Sequence, residues 1–104
     1  GISSLQYIFS RIFVDMNDVY ITSSHGKIPD FDYILSHKKV CMVTDNKIGP
    51  HEICKEIQNR NLNKIVVVGE NLSYPNEKIT MGKPEDILEV ENFDMNVVVI
   101  LDEK

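Results

Sequence analysis

Three polar segments of this 104-residue chain gather the residue types that could do chemistry. Ser23-Ser24-His25-Gly26-Lys27 offers hydroxyls, an imidazole and a cation. Thr44-Asp45-Asn46-Lys47 offers a hydroxyl, a carboxylate and a cation. Gly69-Glu70-Asn71-Leu72-Ser73-Tyr74-Pro75 offers a carboxylate, an amide and a phenol. Each also has a plainer reading. His25 beside a glycine reads equally as a turn residue and as a functional one. Thr44-Asp45 reads first as a strand-end turn feeding a helix. Glu70, Asn71, Tyr74 and Pro75 make the third segment richer than a connection needs, and such loops commonly have a packing or binding reason. No Gly-rich phosphate loop, nucleophile elbow or Ser/His/Asp arrangement is present. His25, His37 and His51 lack metal-ligand spacing, so no metal site is expected.

The elements that must position these loops follow from hydrophobic spacing. Leu5, Ile8, Phe9, Ile12 and Phe13 fall on one helical stripe, with Ser3 and Gln6 spaced as a capping box. Residues 19–22 read as a short strand. Residues 30–36 read as a short helix behind Pro29, with Asp30 as its cap. Residues 40–43 form a continuous apolar run, the mark of a strand buried on both faces. Pro50 opens a helix at its first turn, where the lost N–H costs nothing. Ile53, Cys54 and Ile57 make its inner face; Glu56 and Arg60 pair outside it. Residues 65–68 are a second buried strand, so strand, helix and strand make a βαβ unit. Residues 69–76 then read as loop, 77–81 as an edge strand, 84–90 as a short helix and 96–101 as a third buried strand. The class is α/β, a mixed sheet of about five strands with helices on both faces. All three polar loops follow strands, and open α/β sheets gather ligands beyond the carboxyl ends of their strands.

Composition narrows the classes further. Lys and Arg number 11 against 16 Asp and Glu, a net charge of −5, which disfavours nucleic-acid binding. The length suits one domain, taken as residues 1–104, by the usual ~100–200 residues per domain. No apolar run reaches the ~18 residues of a membrane span, and no basic-then-apolar stretch opens the chain. Cys41 and Cys54 read as small buried thiols of a reducing cytosol, not a disulfide pair. The chain starts at Gly1 without an initiator methionine and enters a helix at once, so part of that helix's packing partner is expected outside the segment.

Several stretches then resemble a known family. Gly1-Ile2-Ser3-Ser4 resembles the end of the Pro-Gly-Ile-Ser-Ser element of tetrapyrrole (corrin/porphyrin) methylases, which begins the helix joining their two domains. Ser23-Ser24-His25-Gly26-Lys27 resembles the Ser-x-His-Gly-Arg segment of the branch that methylates precorrin or cobalt-precorrin at C(5). Val43-Thr44-Asp45 with Pro50 resembles that branch's Leu-Thr-Asp…Pro stretch. Residues 68–77, Val-Gly-Glu-Asn-Leu-Ser-Tyr-Pro-Asn-Glu, are similar to its Gly-Glu-Asn-Leu-Gly-Tyr-Pro-Asp-Glu signature, and Asn96-Val97-Val98-Val99-Ile100 to its closing strand. Lys27 stands where Arg is usual, Ser73 where Gly is common, and the N-terminal half with its Gly-rich cofactor loop lies outside this sequence.

The resemblance implies a C-terminal half of a two-domain, cytoplasmic, homodimeric enzyme of cobalamin biosynthesis. S-adenosylmethionine is the implied methyl donor, bound between the domains, and a corrin-ring intermediate the implied substrate. By analogy Ser3, Ser4, Met42, Val43, Thr44, Asn96 and Val97 lie near the cofactor. His25, Lys27, Glu70, Asn71, Tyr74 and Pro75 are the implied substrate contacts, with Lys27, Lys47 and His25 supplying cations for the ring's carboxylates. Methyl transfer needs alignment and water exclusion more than a strong acid or base, which agrees with the absence of a visible triad. Two other readings stand beside this one: a methylase acting at another ring position, and a non-catalytic α/β interaction or dimerisation module with exposed apolar surface.

Overall fold

A computed structural model describes residues 2–23, 29–45 and 47–103, with backbone only for residues 2–5. Helix α1 (Ile2–Arg11) is followed by β1 (Tyr20–Ser23), α2 (Phe31–Ile34), β2 (Lys39–Val43), α3 (Pro50–Asn59), β3 (Lys64–Glu70), β4 (Lys78–Gly82), α4 (Pro84–Leu88) and β5 (Asn96–Asp102). The strands form one mixed sheet in the order β1-β2-β5-β3-β4. β1 and β2 are parallel, while β5 is antiparallel to both β2 and β3, and β3 to β4.

The period of two along each strand sorts the side chains into two cores. Val40, Met42, Val66, Val68, Val98 and Ile100 face α2, α3 and α4, which supply Phe31, Ile34, Ile53, Cys54, Ile57 and Ile87. Cys41, Val67 and Val99 face the opposite way, onto Ile8 and Phe9 of α1. The expected mixed sheet with helices on both faces is therefore what forms. The three central strands are apolar on both faces because both are covered.

Local chemistry sets the helix boundaries. Asp30 accepts the Tyr33 N–H at 3.2 Å and caps α2. Glu52 accepts the Gly49 N–H at 2.9 Å ahead of Pro50, one arm of a capping box in which glycine has no side chain for the other. The Glu56–Arg60 pair is present at 2.6 Å, and Arg60 also reaches Asp32 of α2 at 2.7 Å. The Ser3–Gln6 box depends on the Ser3 side chain, which lies outside the described ones.

Two expectations change. The βαβ unit is split, since β5 inserts between β2 and β3 and pairs with each. Strand β3 also runs two residues further than its apolar run, through Gly69 and Glu70. Pairing of Gly69 and Glu70 with both β4 and β5 outweighs their poor strand propensity.

Candidate functional site

Because β1, β2 and β3 point one way and β4 and β5 the other, one sheet edge collects the ends of three strands and the starts of two. A cleft of about 890 Å³ opens there. Its floor is Val43, Thr44, Gly69, Asn96 and Val97. Gly49, Pro50, His51 and Glu52 of the α3 start form one wall, and Asn71, Leu72 and Tyr74 the other. Residues 92–95 close its end.

Polar contacts pin each part. Thr44 Oγ1 donates to Asn96 Oδ1 at 2.7 Å, joining the end of β2 to the start of β5. Asn96 Nδ2 donates to the Asp94 carbonyl at 2.7 Å. Asp45 Oδ1 accepts the Lys47 and Ile48 amides, both at 2.9 Å, and so shapes the turn into α3. His51 Nε2 bonds the Val90 carbonyl, which places the ring proton on Nε2, and the ring packs on Phe93 at 5.4 Å.

The third polar loop turns out to be strongly built. Glu70 is 7% exposed, and its carboxylate accepts the Asp94 N–H at 2.9 Å. Asn71 lies in the left-handed region at φ 50°; its N–H donates to the Met95 carbonyl at 3.0 Å and its amide to Asp94 Oδ2 at 3.1 Å. Leu72 packs into the α1-side core. Ser73 is also left-handed, at φ 72°, and its N–H donates to Glu77 Oε1 at 2.9 Å. The Ser73 N–H, the Tyr7 hydroxyl and Arg11 hold the Glu77 carboxyl below its ordinary range; the same bond to Glu77 raises the Tyr7 phenol, with burial adding to it. Tyr74 remains 61% exposed at the cleft.

Of the sequence-derived candidates, the cleft brings together Val43, Thr44, Asn71, Tyr74, Asn96 and Val97. Met42 puts its side chain in the core on the α2–α4 face, and Glu70 is spent on the Asp94 amide. Pro75 is exposed and outside the cleft lining. His25 and Lys27, and the side chains of Ser3 and Ser4, lie outside the described residues. Lys47 is exposed and not part of the lining. Among the described residues the lining carries Asp45, Glu52 and Asp94 and no lysine or arginine. The described part of the wall is thus acidic, and of the three expected cations His25 and Lys27 lie outside the described residues. His51, Glu52, Phe93 and Met95 were missed. Pro50 marking a helix start just beyond a buried strand was the available signal for the first two. The last two face the cleft only because β5 is antiparallel, which no local pattern shows. No group of three or more His, Cys, Asp or Glu among the described residues could hold a metal ion, and no described helix is long and apolar enough to cross a membrane.

Comparison with known proteins agrees with this architecture. No family model matches the chain. Its whole length is 43% identical to cobalt-precorrin-7 C(5)-methyltransferase of Salmonella typhimurium, covering 51% of that protein. It is 32% identical to the probable cobalt-precorrin-7 C(5)-methyltransferase of Methanocaldococcus jannaschii over 96% of the chain and 47% of the relative. The chain thus spans about half the length of these relatives. The precorrin-6Y methylase of cobalamin biosynthesis from Archaeoglobus fulgidus superposes with TM-score 0.65 at 20% identity, over 97% of this chain and 46% of that one. Uroporphyrin-III C-methyltransferase of Thermus thermophilus, in complex with S-adenosylhomocysteine, gives TM-score 0.63 at 18% identity, over 82% and 42%. By sequence the chain is similar to about half the length of cobalt-precorrin-7 C(5)-methyltransferases, and it shares the fold of the precorrin-6Y methylase and uroporphyrin-III C-methyltransferase structures.

Proposed function

We propose that this chain is the C-terminal half of a two-domain, S-adenosylmethionine-dependent methyltransferase that acts at C(5) of a corrin precursor in cobalamin biosynthesis. The observation that carries this reading is the cleft at the carboxyl ends of β2 and β3, floored by the Thr44–Asn96 bond and walled by the 71–74 loop. In a chain 43% identical to half of such an enzyme, that cleft is the natural meeting place of two domains. The N-terminal half supplies the opposite wall, the whole works as a homodimer, and it resides in the cytoplasm.

In this reading a nucleophilic ring carbon attacks the sulfonium methyl: the new C–C bond forms as the C–S bond breaks, and S-adenosylhomocysteine leaves. Alignment supplies most of the acceleration, because holding two reactants in attack geometry contributes up to ~7–11 kcal/mol. Thr44, Asn96 and Val97 hold the cofactor from the floor, with the backbone at Met42 and Val43 behind them. Tyr74, with Asn71 behind it, faces the ring. The acidic lining suits the cationic donor better than the ring's carboxylates. The cations for those carboxylates come from the Lys27 loop and the other half.

Calorimetry with S-adenosylhomocysteine tests this. The intact two-domain enzyme is expected to bind it, Thr44→Val and Asn96→Ala to weaken binding, and the 104-residue chain alone to bind poorly. Tight binding by the chain alone, or unchanged affinity in both variants, would overturn the assignment.

A second reading has one observation in its favour. Ile21 on edge strand β1 (49% exposed) and Met81 on edge strand β4 (54%) lie on the α1 side of the sheet, opposite Cys41 and Val67 in register. Phe13 after α1 is 95% exposed. Such a surface suits an association module. Sedimentation separates the two: self-association that Met81→Lys abolishes while S-adenosylhomocysteine binding never appears would favour the module.

A further inference from the structure

The 71–77 loop is fastened twice, and the second fastening reaches α1. At its first end Asn71 is bonded to the Met95 carbonyl and to Asp94. At its second end stands Glu77, whose side chain is only 14% exposed. One oxygen accepts the Ser73 N–H at 2.9 Å, and the other lies 3.3 Å from Arg11 Nη2. The Tyr7 phenol bears on the same carboxylate and favours its charged form. Tyr7 and Arg11 are one helical turn apart on α1, with the guanidinium 5.9 Å from the ring centroid. They are the charged and titratable groups that face Glu77.

This arrangement has a consequence for the cleft. Ser73 sits at φ 72°, in the left-handed region that residues with a side chain uncommonly enter. The bond to Glu77 fixes its amide in that conformation. Ser73 immediately precedes Tyr74, the exposed aromatic at the cleft, and the Tyr74 N–H in turn donates to the Asn71 carbonyl at 3.0 Å. We propose that Glu77 is a positioning residue: through Ser73 it sets Tyr74 at the cleft, and through Tyr7 and Arg11 it locks that setting to helix α1. The inference rests on the cleft being the ligand site proposed above, but its test does not.

The test is nuclear magnetic resonance on the ¹⁵N-labelled chain. An amide bonded to a carboxylate shifts when that carboxylate takes up a proton. The Ser73 and Tyr74 amides are therefore expected to show a titration step below the ordinary glutamate range. Glu77→Gln should abolish the step. Tyr7→Phe should keep it but move it up toward the ordinary value, because a bond that favours the charged form is gone. Glu77→Ala should displace the resonances of 71–77 while the β3 and β5 core amides keep theirs. A step that survives Glu77→Gln, or Tyr74 resonances unmoved in Glu77→Ala, overturns the proposal. Failure of the cleft assignment shows elsewhere, as unchanged S-adenosylhomocysteine affinity in Thr44→Val with the Glu77 titration intact.

Discussion

Gly69 offers the sharpest quantitative test of how the motif loop is built. It lies buried in β3, directly beneath α1. A Cβ there would stand 2.7 Å from Ile8 Cδ1 and 2.9 Å from Leu72 Cδ2. Carbon pairs prefer ~3.5–4.0 Å, so both side chains would have to retreat by about 1 Å. Ile8 is fully buried and has nowhere to go. Overpacking of this kind costs ~1–3 kcal/mol. Alanine recovers ~0.4–1 kcal/mol by restricting the unfolded chain. The net loss for Gly69→Ala therefore centres on ~1–2 kcal/mol, a fall in Tm of roughly 4–16 °C for a domain of this size. Thermal unfolding followed by circular dichroism reads it directly. Ile8→Val removes the Cδ1 atom in question and costs ~0.5–1.5 kcal/mol alone. In the double variant the two losses should fall short of their sum by ~0.5–1 kcal/mol, since the clash is partly relieved. Strict additivity, or a neutral Gly69→Ala, would refute the packing argument.

Ser73→Gly should raise Tm by a few degrees: leaving the left-handed region strain-free gains ~1–2 kcal/mol, partly offset by ~0.5–1 kcal/mol of added chain entropy. Ser73→Ala, equally strained, should leave Tm unchanged, and a gain in Ala equal to that in Gly would contradict the cause. Burial pushes the thiols of Cys41 and Cys54 up to about 12. The unfolded chain ionises first, near ~8.5, so the stability from keeping these thiols neutral is whole below that pH and is lost as pH rises toward 12. Urea midpoints should fall over this range, and less steeply in Cys54→Ala. A thiol reagent at pH 8 should label neither cysteine until the chain unfolds. Asp30→Ala removes the acceptor of the Tyr33 N–H and should cost ~1 kcal/mol in a urea titration, whereas Asp30→Asn should cost little.

The fold was largely legible because its central strands are apolar on both faces and its helices carry one inner stripe. Val40–Val43 and the 65–68 run need no context to be read as strands. Direction was less legible. Whether β5 runs with or against β2 depends on tertiary pairing, and the split of the βαβ unit follows from that choice. The site was legible in its location and less so in its chemistry. Thr44 and Asn96 stand 52 residues apart, yet their side chains meet at 2.7 Å. Their joint placement followed from the family resemblance, not from spacing. Glu70 read as a group available to a ligand, but a strand that extends past its apolar run buries it against the Asp94 amide.

The motif loop's polar residues therefore serve mainly to set its shape. Gly69 makes room for Ile8 and Leu72. Glu70 and Asn71 stitch the loop to residues 94 and 95. Ser73 turns the chain and Glu77 holds the turn. Tyr74 is the motif side chain left exposed at the cleft. A segment of this kind looks chemically rich in sequence because backbone held in unusual conformations needs polar side chains to satisfy it. The same reasoning accounts for the acidic lining. Asp45, Glu52 and Asp94 each accept a backbone or side-chain N–H that orders the cleft. Their charge is a by-product of building the wall, and under the proposed function it suits a cationic methyl donor better than an anionic ring. Under the same proposal, the carboxylates of a corrin precursor are met by groups beyond this wall. If the proposed chemistry is one of alignment, the polar residues of this wall serve it first as scaffold.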